Sequence, residues 1–350
     1  MKKFNLAHLF MVMILALVVA AGCTKEGPAG AAGADGTNGT NGTDGADGTT
    51  TCVECHSSNQ VLFAIENQWG HSTHALGGNY ERNEGECAIC HTSQGFLGNI
   101  DGSFDYEAEG AMISNPNPPN CYTCHKIHDT YTSADLAFTF DGPTELRNTG
   151  GSSVDFGAAN LCASCHQGRT VDPFPAEGGA DINVTSPYWG IHHGPQANTL
   201  AAAGLFEVGT GYNANHPHFT GIADGCVTCH MAEPYGAQAG GHTMNVAYEY
   251  HGSVEVNLAG CMACHTDEDA LVENTEELQA EVAAKLAELK VKLDAAGITV
   301  EGSESPIPGT YPAVVAGAFI NYQALTEDRS LGVHNPTYIK KLLENSIAAF

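Results

Sequence analysis

The chain has 350 residues, with 13 Lys and Arg against 40 Asp and Glu, for a formal charge of −27. So acidic a surface repels nucleic acid and anionic lipid, which excludes a nucleic-acid partner and favours cationic partners or metal ions. Thirteen cysteines and 17 histidines supply an unusual load of potential ligands.

The N-terminus reads Lys2-Lys3, an apolar run over about 6–19, then Ala20-Ala21-Gly22-Cys23. A basic start, a short apolar core and small residues before the cut form a secretory signal peptide, assigned to 1–22. Ending on Gly-Cys, the segment resembles a bacterial lipoprotein signal, which would make Cys23 the lipid-modified first residue. Ala20 stands where leucine is commonest in such signals. Thr24 follows the cysteine, which fits sorting to an outer membrane, on its periplasmic or cell-surface side. No other segment is long and apolar enough to cross a bilayer.

Glycine then recurs at 27, 30, 33, 36, 39, 42, 45 and 48. A Gly-x-y period is the collagen signature, but Pro28 is the tract's one proline, and a stable triple helix needs more imino acids or more triplets. The expectation for 23–51 is therefore a lipid-anchored, flexible collagen-like tether, with trimerisation as the alternative.

Twelve cysteines fall in six copies of Cys-x-x-Cys-His, namely Cys52/Cys55/His56, Cys87/Cys90/His91, Cys121/Cys124/His125, Cys162/Cys165/His166, Cys226/Cys229/His230 and Cys261/Cys264/His265. This spacing is the attachment signature of c-type haem. Two thiols can each form a thioether to a haem vinyl group, and the adjoining imidazole becomes the proximal ligand of the iron. Disulfides or zinc would use cysteine pairs too, but neither explains a histidine after every second cysteine. Six haem c groups are therefore expected within a domain at 52–267. About three dozen residues per haem are too few for a conventional apolar core, so the porphyrins themselves are expected to form it. Successive motifs are spaced by 35, 34, 41, 64 and 35 residues, which is no simple tandem repeat.

A C-terminal helical region, 268–350, is expected to pack on that domain. Leu278, Val282, Leu286, Leu289 and Leu293 recur at helical spacing in a helix over 274–296, with Asn274 and Glu277 as its capping pair and Gly297 as its stop. A proline-containing loop at Pro306, Pro308 and Pro312 precedes a helix over 313–325. A last helix starts at Asn335-Pro336, with apolar positions at Ile339, Leu342, Leu343 and Ile347. The fold class is thus mainly α with extensive loops and little β, a haem stack at its centre and helices at its C-terminus.

A second axial ligand decides whether an iron carries electrons or binds substrate. Outside the motifs and the signal, the candidates are His71, His74, His128, His192, His193, His216, His218, His242, His251 and His334. They fall into seven groups for six irons, which suggests bis-histidine ligation throughout. Met112, Met231, Met244 and Met262 are read as packing residues.

Several of these segments carry a family resemblance. Gln68-Trp69-Gly70-His71-Ser72-Thr73-His74-Ala75 resembles the Ser-x-His-Ala ligand segment of multihaem cytochromes related to the tetrahaem cytochromes of nitrifiers. Cys121-Tyr122-Thr123-Cys124-His125-Lys126-Ile127-His128 is similar to an arrangement in which a histidine three residues past one motif ligates a neighbouring haem. His192-His193-Gly194-Pro195, His216-Pro217-His218 and Gly240-Gly241-His242 resemble recurring ligand segments. Gly332-Val333-His334-Asn335-Pro336 resembles the C-terminal part of multihaem nitrite-reductase relatives. The resemblance implies the distal set His74, His128, His193, His218, His242 and His334, with His251 in reserve.

The implied function is electron transfer outside the cytoplasm, between a membrane or periplasmic donor and an external acceptor or reductase. An electron carrier rather than an enzyme is the leading expectation, with no catalytic residue assigned. A reductase of nitrogen or sulfur oxyanions with one open haem is the first alternative. The second is a homo-oligomer, a filament similar to the hexahaem filament cytochromes of metal-reducing bacteria.

Overall fold

A computed structural model describes residues 56, 59–192 and 194–350. The signal, the lipidation residue Cys23, the Gly-x-y tract and the first cysteine pair, Cys52 and Cys55, lie outside the described residues, as does His193. Everything described belongs to one compact unit.

Eleven α-helices are described, and most of those before residue 268 are short. They are α1 (Asn59–Gly70), α2 (Gly85–His91), α3 (Ser93–Asp101), α4 (Cys121–Cys124), α5 (Asn160–Cys165), α6 (Gln196–Ala201), α7 (Pro217–Thr220) and α8 (Gly225–His230). The rest are α9 (Glu268–Ala295), α10 (Ala313–Asp328) and α11 (Pro336–Ala348). Strands occur in three antiparallel pairs: β1 (Thr144–Glu145) with β2 (Ser153–Val154), β3 (Ile182–Val184) with β6 (Gly309–Tyr311), and β4 (Ala247–Tyr250) with β5 (Ser253–Val256). The fold is mainly helical, with extensive loops and little strand.

Helix α9 starts six residues before the expected position. Its cap is Asp267, whose side chain accepts a hydrogen bond from the Ala270 N–H at 3.1 Å, not Asn274. Glu268 and Asp269 follow in the first turn, where carboxylates complement the positive helix end. Asn274 is an ordinary interior residue, and its modest propensity deficit, under about 0.7 kcal/mol, cannot stop a helix of this length. Helix α10 continues past Leu325 to Asp328 and closes on Arg329 in the left-handed conformation, φ 60°. Helix α11 begins as expected, with Pro336 in first position and the Asn335 side chain accepting from the Tyr338 N–H. The proline-containing loop also holds β6, which the three nearby prolines concealed in the sequence.

The three long helices enclose an apolar core that the motif arithmetic did not anticipate. Val282, Leu286, Leu289 and Leu293 of α9 meet Phe319, Ile320 and Leu325 of α10 and Ile339, Leu342 and Leu343 of α11. Residues from the middle of the chain join them: Val171, Ile182, Val184, Trp189 and Ile191. Trp189 stacks on Phe319 with ring centres 6.1 Å apart. Each such side chain contributes about 1.5–3 kcal/mol when fully buried. Gly317 lets α10 approach Phe206, because a Cβ there would lie 2.3 Å from that ring. The core therefore ties the 171–205 segment to the C-terminal helices, although that segment falls between attachment motifs. A smaller cluster of Leu146, Phe156, Ala159, Ala163, Ala197 and Leu200 carries Cys162 and Cys226 against it.

Candidate cofactor-binding site

Most of the motifs occupy single helical turns, which explains their spacing. On such a turn residues i, i+3 and i+4 share a face, so both sulfurs and the imidazole project together. The second, third, fourth and fifth motifs use α2, α4, α5 and α8. The sixth follows a 3-10 turn at Leu258–Gly260 and closes the same way, with the His265 N–H donating to the Cys261 carbonyl at 3.0 Å. Local capping fixes the third motif: Asn120 accepts from the Tyr122 N–H at 3.0 Å, and Thr123 Oγ1 accepts from the Asn120 N–H at 2.8 Å. No disulfide joins the ten described cysteines. Among the described residues, no cluster of three or more His, Cys, Asp or Glu could hold a single metal ion.

The motif cysteines differ in burial. Cys90, Cys124, Cys162, Cys165, Cys226, Cys229 and Cys261 are half-buried, whereas Cys87, Cys121 and Cys264 are exposed. Cys264 is one of the three exposed cysteines. The sixth motif is built on turns rather than a helix, and the Cys264 N–H donates to the Cys261 carbonyl at 3.1 Å. Residues 263–269, which lead out of the motif into α9, are all exposed, so Cys264 stays at the surface while Cys261 turns inward.

Among the described residues, five motif histidines each face a second histidine from elsewhere in the chain. The ring centres are 6.3 Å apart for His56 and His128, 5.8 Å for His166 and His74, and 6.3 Å for His125 and His242. They are 6.3 Å apart for His230 and His334 and 6.2 Å for His265 and His218. Two metal–nitrogen bonds of about 2 Å on opposite sides of one iron, with each ring centre about 1 Å further out, place imidazole centres about 6 Å apart. All five separations match that figure. Directly stacked rings would sit closer.

The outward nitrogens agree. The Nδ1–H of His125 donates to the Leu136 carbonyl at 2.7 Å, that of His218 to Val333 at 2.7 Å and that of His230 to Met244 at 2.9 Å. His166 donates to Gln196 Oε1 at 3.3 Å, and His74 to the Met244 sulfur at 3.2 Å. The Nδ1 of His334 lies 2.7 Å from Asp328 Oδ1. A partner on Nδ1 that can only accept fixes the proton there and leaves the Nε2 lone pair for a metal. Burial strengthens the neutral form. It pushes His74 down to about 4, helped by the neighbouring His166, and it is the main cause lowering His166, His230 and His242 as well. Neutral imidazole is the form that binds iron. The residues present fit bis-histidine haem.

Candidate ligands beyond these pairs have other surroundings. His71 bonds the Asn67 carbonyl through Nδ1 at 2.7 Å. His216 packs edge-on against His218 with ring centres 4.8 Å apart. His251 is at the tip of the β4–β5 hairpin against Tyr250, centres 4.3 Å apart. Sequence reasoning took Met244 as packing and missed its position. In a left-handed conformation, φ 57°, it offers its sulfur to His74 and its carbonyl to His230. Such backbone costs about 1–2 kcal/mol for an L-residue. No periodicity could have shown it.

Other contacts link the pairs. His125 and His128 are three residues apart, so the third and first pairs are neighbours. His242 is two residues before Met244, which bridges the fourth and fifth pairs. The Val333 carbonyl, next to His334, accepts from His218 and joins the sixth pair to the fifth. The Cys165 thiol points at the Ile89 carbonyl, 3.9 Å away, which brings the fourth motif against the second. Between those two motifs lies a cavity of about 470 Å³ lined by Ile89, Phe96, Leu146, Arg147, Ser164 and Gln167. Arg147 and Gln167 bring side-chain donors to its lining.

No protein-family model matches the sequence, and no curated protein does. One solved structure is similar, that of the outer cell wall cytochrome OcwA. The match has a TM-score of 0.49 and 22% identity, and it covers 80% of this chain but 48% of that one. The chain therefore spans about half of OcwA's length.

Proposed function

We propose that the protein is an exported hexahaem c-type cytochrome that carries electrons. The observation that supports this best is the set of five His–His pairs at iron-bridging distance, each with one partner from a Cys-x-x-Cys-His motif. The twelve motif cysteines would hold six haems by thioether bonds. The motif histidines His56, His91, His125, His166, His230 and His265 would be proximal ligands. His128, His74, His242, His334 and His218 would be the distal ligands at five sites, and His193 completes the proposed distal set. A haem iron held between two imidazoles exchanges one electron while keeping its coordination.

The chain's own residues do the rest. Carbonyls of Leu136, Met244 and Val333 orient imidazoles. Met244 and Val333 hold ligands of different sites against each other, so that the sites form a connected series. The acidic surface, the signal and the Gly-x-y tract support a lipid-anchored carrier on the outer face of a membrane, passing electrons to redox proteins or external acceptors. The reductase reading requires an iron with one protein ligand.

The test is expression with the c-type maturation machinery. Intact mass should show six covalent haems, and EPR of the oxidised protein should show low-spin signals throughout. A high-spin ferric signal that shifts on adding nitrite or hydroxylamine would overturn the carrier reading in favour of the reductase. Fewer than six haems would overturn the ligand scheme.

A further inference from the structure

One ligand pair differs from the others in what stands behind it. The Nδ1 partners of His125, His166, His218, His230 and His74 are carbonyl, amide or thioether acceptors, all neutral. His334 instead faces a carboxylate, Asp328, at 2.7 Å. Asp328 is the last residue of α10, and its side chain is 1% exposed.

That carboxylate is closely held. Oδ1 also accepts from Thr199 Oγ1, and Oδ2 accepts from Ser330 Oγ. Ser330 Oγ in turn accepts from the Gly332 and His334 N–H groups, both at 3.3 Å, which fixes the loop that presents His334. Helix α6 supplies the second support. Gln196 and Thr199 share a face at i and i+3, so one short helix places an amide on His166 and a hydroxyl on Asp328. Gln196 Nε2 also donates to the Glu327 carbonyl at 3.1 Å, beside Asp328.

We infer that Asp328 is a positioning residue that makes the His230–His334 site the most reducing of the five described. The inference rests on the haem reading above. A full negative charge accepting the Nδ1 proton raises the basicity of His334, and a more electron-donating ligand stabilises ferric over ferrous iron. Burial matters, because the same charge in water would be screened. Thr199 and Ser330 moderate the effect by sharing the carboxylate's lone pairs. The fifth site is linked to the fourth and the sixth, so a low-potential centre there would sit inside the series rather than at an end.

Two variants of the haem-loaded protein test this by spectroelectrochemical titration. Asp328→Asn keeps the side-chain shape and an acceptor oxygen but removes the charge. One centre of six should move to higher potential and the other five should stay in place, with one low-spin EPR signal changing its g-values. Thr199→Val removes a competing donor and leaves the charge, so the same centre should move the opposite way. A potential unchanged in Asp328→Asn overturns the inference, and so does a shift of the same sign in both variants, which is what a merely structural role would give. Haem content by mass separates the two readings: absence of haem from the wild type defeats the cofactor assignment, whereas six haems with no opposite shifts defeat the role of Asp328 alone.

Discussion

Residues 59–165 and the three C-terminal helices show two ways of using apolar side chains. In the helices, Phe319, Ile320, Ile339, Leu342 and Leu343 are wholly buried against one another. Around the early motifs, Phe63 is 69% exposed and Leu76 79%, with Val61 and Leu136 also open. The first region is closed by its own side chains. The second presents apolar surface beside its ligand histidines, as expected where a large hydrophobic cofactor completes the packing. On the proposed reading, order in this chain has two sources, side-chain packing at one end and cofactor attachment at the other.

The most drastic way to break the comparison is to withhold the cofactor. Expressed without the maturation machinery, the chain should lose protection in 59–165 under limited proteolysis while fragments containing α9, α10 and α11 persist. Uniform resistance along the chain would show that the two regions do not differ in this way. The complementary change strikes the helices. Phe319→Ala should cost about 3–5 kcal/mol in denaturant unfolding, because it leaves a cavity where Trp189 stacks. The potentials of the haem-loaded protein should stay close to the wild type. The smallest effect is at the boundary, where Asp267→Ala removes the cap of α9. A loss of about 1 kcal/mol is expected, with no change in the haem spectrum.

How much was legible in the sequence follows from the range of each interaction. The attachment motifs are local, since a thiol pair and an imidazole on one helical turn must be neighbours in sequence. Their burial is not local, and so the exposure of Cys264 could not be told from that of Cys261 three residues earlier. The stripe from Leu278 to Leu293 is local too, and it shows as period. The start of α9 was misplaced because Asn274 and Glu277 mimic a capping pair, while Asp267 lies just past the last motif, ahead of that expected start. Ligand pairing was not legible at all. His125 and His242 come from distant parts of the chain, and nothing in either segment encodes the other. The apolar core was missed for a related reason. Trp189 and Ile191 look like an insertion between motifs until α10 is placed against them. Asp328 escaped notice because one aspartate among 40 acidic residues carries no signal without its partners.

The position of His334 has a consequence for assembly. On the proposed reading of an exported hexahaem chain, the N-terminus would emerge first and attachment chemistry would act on each Cys-x-x-Cys-His as it appeared. His74 is already outside when His166 arrives, and His128 follows His56 within the same stretch, so those sites can close during export. His230 would wait for a residue beyond the sixth motif, on the loop between α10 and α11. On that reading the fifth site would be the last of the described ones to close, and its closure would report that the C-terminal core has formed.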